Sequence, residues 1–134
     1  MDQRKKRELI GTAHALEKLL KSGECVGLFP EGKTSNGEKI APFKASLFQS
    51  ALAAKSTVVP VTICYWAQGK RTPADMQMAK GGWLQTLKHI FEQKDLVISV
   101  YISNPLSAAD FPDRKALSDH VHQEITRIYF SHFQ

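Results

Sequence analysis

Val26-Gly-Leu-Phe-Pro-Glu-Gly-Lys-Thr-Ser35 is an apolar run that stops abruptly in Pro, Glu, Gly and a cluster of hydrogen-bonding side chains. Cys25 to Phe29 is short, apolar and bounded by Gly and Pro, the signature of a strand buried on both faces. Such a strand would deliver a carboxylate, a permissive backbone and polar groups to one point. Physical reading of the stretch leaves two meanings level: a binding site, or a turn with Arg4 as a solvated residue elsewhere.

Working outward, Leu9, Ala13, Leu16 and Leu20 recur at helical spacing, which predicts an amphipathic helix over Lys6 to Lys21 closed by Ser22-Gly23. Downstream, Pro30 to Pro42 is a loop rich in Gly, Ser, Thr and Lys, with a turn signal at Asn36-Gly37. A helix is expected from Pro42 or Phe43 to Ala54, with Phe43, Leu47, Ala51 and Ala54 inward. Thr57 to Tyr65 is β-branched and reads as a strand that Pro60 makes irregular or exposed. Strand, loop, helix and strand make a βαβ unit, so the expected fold is α/β, a mostly parallel sheet flanked by helices. Ligands of such sheets bind beyond the carboxyl ends of the strands, which is where Glu31 to Ser35 fall.

The remainder alternates in kind. Trp66 to Gly82 has no period and is expected to be a surface excursion, with Met76 and Met78 as loosely packed filler. A helix follows over Trp83 to Gln93, then a strand over Leu96 to Ile102 ended by Asn104-Pro105. Ser107 and Asp110 offer caps before a last helix from Pro112 to Tyr129, with Leu117, Val121, Ile125 and Ile128 on one face. His14 and His89 read as structural or exposed. His120 and His122 lie two apart and cannot share a helix face, which argues against a zinc pair. Cys25 and Cys64 sit in apolar runs without metal-type partners and are expected to be small buried hydrophobes in a reducing setting.

The 134 residues are enough for a single domain, 43% hydrophobic and 23% charged, the composition of a globular chain. No run reaches the roughly 18 apolar residues that read as a membrane span, and no signal peptide opens the chain. The net charge of +5 and the run Arg4-Lys-Lys-Arg7 fit a solvated helix face or a contact with phosphates or an anionic membrane surface. Nucleic acid is disfavoured, since no recognised module accompanies the charges.

Around the opening stretch, Lys33 and Lys44 supply cations, Thr34 and Ser35 supply hydroxyls, and Gly32 allows close backbone approach, all suited to an anion. Glu31 suits a polyol hydroxyl or an arginine clamp instead, with Arg4 the candidate.

Phe29-Pro-Glu-Gly-Lys-Thr-Ser35, then Pro42-Phe-Lys44, then Val58-Val-Pro-Val-Thr-Ile63 closely resembles the glycerolipid acyltransferase family, which includes the lysophosphatidic acid acyltransferases. The family's third block reads Phe-Pro-Glu-Gly-Thr-Arg-Ser or a near variant, and its fourth is an apolar segment containing proline. Its second block ends in an arginine, a place that Arg4 matches better than Arg7. The resemblance implies that Arg4, Glu31 and Gly32, with Thr34 and Ser35, bind the glycerol phosphate part of an acceptor, and that Phe29, Pro30 and Pro60 shape the site. Lys33-Thr34 in place of Thr-Arg keeps one cation and one hydroxyl in shifted order, and Lys33 and Lys44 are counted with the acceptor-binding residues.

The family's catalytic pair is a histidine followed five positions later by aspartate, the histidine serving as general base toward the acceptor hydroxyl. Here the fifth residue on is Leu19 from His14, Lys94 from His89, Ile125 from His120 and Arg127 from His122, and His132 lies too near the last residue. The resemblance therefore implies a partial, N-terminally truncated acyltransferase domain over 1–134 that is inactive alone. It implies no cofactor: acyl-CoA or acyl carrier protein is the donor substrate and a lysophospholipid the acceptor. Peripheral attachment to the cytoplasmic side of the inner membrane, or a cytoplasmic location, is expected. A non-catalytic phosphate- or headgroup-binding module is the alternative.

Overall fold

The computed structural model describes residues 3–33, 39–66, 83–92 and 95–132, with side chains left undescribed at 3–10, 83, 86, 89 and 90. Four α-helices and four strands run α1 (Gln3–Lys21), α2 (Gln49–Ala54), β1 (Thr57–Val58), β2 (Val61–Trp66), α3 (Trp83–Glu92), β3 (Val97–Ile102), β4 (Leu106–Ser107) and α4 (Arg114–Ser131). The expected excursion with Met76 and Met78 lies outside the described residues, as does the side chain of His89.

Helix α1 ends as its sequence requires. Gly23 takes φ +87°, and Glu24 N–H donates to Leu19 O while Gly23 N–H donates to Leu20 O, both at 3.1 Å. This closing motif satisfies carbonyls that the last turn leaves open. The same pair of bonds closes α2, from Ser56 N to Ala51 O and from Lys55 N to Leu52 O, but there the left-handed position is held by Lys55 at φ 50°. A side chain with a Cβ is strained in that conformation.

The expected helix from Pro42 starts later. Lys44 is extended (φ −78°, ψ 97°) and a 3₁₀ turn, Ala45–Phe48, precedes α2. Lys44 N–H donates to Pro30 O at 3.0 Å, which anchors this extended residue to the preceding turn. The tighter turn also shifts the phase, so Phe48 and Ser50 are the buried residues in place of the expected inward set, whose members are half-buried.

The sheet corrects the parallel arrangement expected from sequence. Among the described residues both ladders are antiparallel: β1 with β4 (Thr57 opposite Ser107) and β2 with β3 (Val61 opposite Ile102 through Trp66 opposite Val97). Residues 25–29 form no strand, and Cys25, Leu28 and Phe29 are exposed, so Cys25 is not the buried hydrophobe expected. A strand exists only where a neighbour takes up its backbone groups, and no described segment lies beside this one to do so. Cys64, by contrast, is fully buried on β2 as expected.

The two ladders are halves of one antiparallel ribbon. Between the paired positions Val58–Leu106 and Val61–Ile102 lie two residues on one side and three on the other, a one-residue bulge. Pro60 sits there, buried and without an N–H, and its carbonyl accepts from Ser103 N–H at 3.0 Å. The irregularity anticipated at Pro60 is this break.

Helix α4 is capped by Asp113, whose Oδ1 accepts from Lys115 N–H and Ala116 N–H at 2.8 Å. The expected caps lie too early: Ser107 ends β4, and Asp110 ends a 3₁₀ turn over Ala108–Asp110. Leu117 and Val121 from α4 close a core with Phe48 and Ala108, flanked by Phe43, Ala51, Leu52, Val58, Leu106, Phe111 and Ile125. One turn beyond Ile125, Tyr129 is also buried; its phenol is pushed up to about 12, mainly by burial, with the Cys64 and Glu31 side chains adding to the shift. Alternate residues of β2, Thr62 and Cys64, face the same helix and are buried.

Two expectations follow. Lys55→Gly removes the left-handed strain and should raise stability by about 1 kcal/mol, read from the denaturant midpoint. Because the fold favours the neutral phenol of Tyr129, its contribution is complete below pH ~10, the value of an unfolded tyrosine, and is lost as pH rises toward about 12. Denaturant melts across that window should show the native chain losing stability relative to Tyr129→Phe.

Candidate functional site

The segment Phe29-Pro30-Glu31-Gly32 is a tight turn closed by Gly32 N–H donating to Phe29 O at 3.1 Å. Gly32 holds φ +65°, the region that favours glycine. Two further bonds strap this turn to the segment that precedes α2. Ala41 N–H donates to Glu31 Oε2 at 2.9 Å, and Lys44 N–H donates to Pro30 O at 3.0 Å. The strapped segment is itself seated on the core: the Phe43 ring stacks near Phe48 (centroids 6.5 Å apart) and meets the His122 ring edge-on at 4.8 Å.

The strap brings a cation to the glycine. Lys44 Nζ lies against the open face of Gly32, and a Cβ built at Gly32 would stand 2.9 Å from Lys44 Cε and closer still to the ammonium. Gly32 is thus favoured for its backbone angle, and a side chain there would push the Lys44 side chain aside. Glu31 is half-buried and Lys33 exposed beside them. Phe29 projects at 80% exposure, and Pro30 is half-buried under the turn.

Several expectations change at this level. Gly32 N–H is spent inside the turn and Lys44 N–H on Pro30, so neither donates to an incoming anion; the described attraction for negative charge comes from the Lys44 and Lys33 side chains. Glu31 is bonded to backbone, where the sequence suggested a polyol or an arginine. Arg4 falls within α1, and its side chain, like Thr34 and Ser35, lies outside the described residues. Pro60 breaks the ribbon and is not in the strap.

Sequence reasoning missed the Ala41 N–H, which no side-chain pattern announces, and Tyr129, which the spacing Val121, Ile125, Tyr129 could have found. No cluster of three metal-ligating side chains occurs among the described residues. A shallow depression bordered by Gln49, Leu52, Ala53, Pro112, Asp113 and Arg114 shares no residue with the strapped turn. No described helix is long and apolar enough to cross a membrane.

The family described as Acyltransferase matches residues 1–64, a span that contains the turn, the strap and Pro60. A 1-acyl-sn-glycerol-3-phosphate acyltransferase of Neisseria gonorrhoeae is 35% identical over 129 residues, covering 96% of this chain and 50% of the relative. Its counterpart in Neisseria meningitidis serogroup B matches equally, and a lyso-ornithine lipid O-acyltransferase of Brucella abortus is 30% identical over 115 residues, covering 72% of this chain and 41% of that protein. The chain thus spans about half the length, or less, of these curated relatives. No solved structure matches it significantly. The Acyltransferase model over residues 1–64 and relatives 35% identical across 96% of the chain support its place in the glycerolipid acyltransferase family.

Proposed function

We propose that the strapped turn binds the phosphate-bearing end of a lysophospholipid acceptor in a transfer of a fatty acyl group from a thioester donor, acyl-CoA or acyl carrier protein, to the acceptor hydroxyl. The observation that carries this reading is Lys44, whose ammonium lies against Gly32 at the turn. Lys33 adds exposed positive charge, and Arg4, Thr34 and Ser35 complete the acceptor contacts. Phe29, exposed beside the turn, is placed to meet the apolar part of the same lipid. Glu31 acts as the spring of the site: its carboxylate fixes the distance between the turn and the segment bearing Lys44, through a charged hydrogen bond worth about 1.5–3 kcal/mol.

The acceptor hydroxyl still requires a general base. No histidine of the chain has an aspartate five positions on, so the binding half of the chemistry is present and the proton-abstracting half is not. The 134 residues alone are therefore expected to be inactive. Contact with a lipid surface follows from the acceptor, and Leu84, Leu87 and Phe91, exposed along one face of α3 beside Lys88, support peripheral attachment at the cytoplasmic face of a membrane. The alternative role, a non-catalytic headgroup-binding module, uses the same turn.

An acyl-transfer assay with lysophosphatidic acid and acyl-CoA or acylated carrier protein tests the reading. The purified chain should turn over no faster than its Glu31→Ala variant, general-base catalysis being worth ~10²- to 10⁴-fold, and turnover well above that control would refute the predicted inactivity. Gly32→Ala introduces a strained φ and displaces the Lys44 side chain. It should lower stability by about 1–2 kcal/mol and weaken binding to vesicles containing lysophosphatidic acid, measured by co-sedimentation; unchanged vesicle binding would remove the turn from the site.

A further inference from the structure

The segment that carries Lys44 is bound to the turn by two hydrogen bonds, Ala41 N–H to Glu31 Oε2 and Lys44 N–H to Pro30 O. Between them lies Phe43, half-buried against the core, and its ring meets the ring of His122 with 4.8 Å between centroids and 88° between planes. His122 stands on α4 beside the buried Val121. An edge-on pair at this spacing attracts beyond the apolar area it buries. The Nε2 of His122 is buried and has no hydrogen-bond partner among the described residues. A polar ring atom enclosed in this way costs stability, so what holds Phe43 here is the ring of His122 and not a hydrogen bond from Nε2. His120, two residues earlier on the same helix, faces a different neighbour: its ring lies 5.3 Å from that of Phe111.

We propose that His122 is a positioning residue of the acceptor site: its ring clamps Phe43, which keeps the Ala41–Lys44 strap closed on the Phe29–Gly32 turn and the Lys44 ammonium against Gly32. The link runs from α4 to Phe43 by ring contact, from Phe43 to Lys44 by one peptide bond, and from Lys44 Nζ to Gly32 across the turn. His122 touches no substrate and moves no proton in this role. Phe48 also neighbours the Phe43 ring, at 6.5 Å between centroids, so loss of the His122 ring loosens the strap without releasing Phe43 from the core. The consequence for lipid binding rests on the acceptor-site reading, whereas the clamp itself does not.

Amide hydrogen exchange of the 134-residue chain without lipid, read residue by residue by NMR, tests the clamp. His122→Ala should speed exchange at Ala41 and Lys44 by about two- to tenfold more than at the β2–β3 ladder, which reports opening of the chain as a whole; that range matches the strength of an edge-on aromatic pair. His122→Phe keeps a ring and lacks the unpartnered nitrogen, so both amides should stay as slow as in the unsubstituted chain. His120→Ala removes the ring beside Phe111 and should leave them unchanged. Should His122→Ala lose its native circular dichroism, His122→Leu, Phe43→Leu and their double variant read the same contact: each alone should speed the two amides, and the second should add nothing in the presence of the first. Exchange at Ala41 and Lys44 that rises no more than at the ladder, a His122→Phe chain as fast as His122→Ala, an equal effect of His120→Ala, or additive effects in the Leu cycle would each overturn the proposal. With vesicles containing lysophosphatidic acid, His122→Ala should weaken co-sedimentation by a like factor and His122→Phe should not. Faster strap exchange with unchanged vesicle binding would overturn the acceptor-site reading and leave the clamp standing, so the two fail separately.

Discussion

Two hydrogen bonds, Ala41 N–H to Glu31 Oε2 and Lys44 N–H to Pro30 O, tie together segments about ten residues apart and decide the local geometry on both sides. On one side they hold the Phe29–Gly32 turn against the body of the protein. On the other they anchor the extended Lys44, after which a 3₁₀ turn carrying the buried Phe48 leads into α2 at Gln49. A binding feature and a packing feature thus adjoin at the strap, and the carboxylate most easily read as a substrate contact is first a structural acceptor.

The same economy appears at Gly32. Its positive φ closes the turn, and its missing side chain leaves room for the lysine that the strap delivers. Tyr129 lies buried on α4, its phenol pushed up mainly by that burial.

Much of the element order was legible. The spacing of Leu117, Val121 and Ile125 located α4, and the β-branched runs located β2 and β3, because side-chain period reports which face a segment buries. Pro60 announced a break, since a residue without an N–H cannot continue a ladder. Strand direction was not legible: Val61–Trp66 and Val97–Ile102 have the same apolar content in either orientation, and a strand–helix–strand order suggested parallel pairing that the described residues do not contain. Cys25–Phe29 looked like a buried strand from its apolarity alone, yet no described strand pairs with it.

By itself the sequence pointed to the family and located the turn, because Phe29-Pro-Glu-Gly32 followed by Pro42-Phe-Lys44 and Val59-Pro-Val61 resembles the family's motifs in order and spacing, which needs no coordinates. Only the tertiary structure decided how those residues are used: that Glu31 accepts from Ala41, that Lys44 stands over Gly32, and that β2 and β3 run antiparallel. The reason is physical. Side-chain type fixes what a residue can bond, but backbone N–H groups are the same at nearly every position, so which of them reaches a given carboxylate or strand edge depends on where the chain has already been brought by packing.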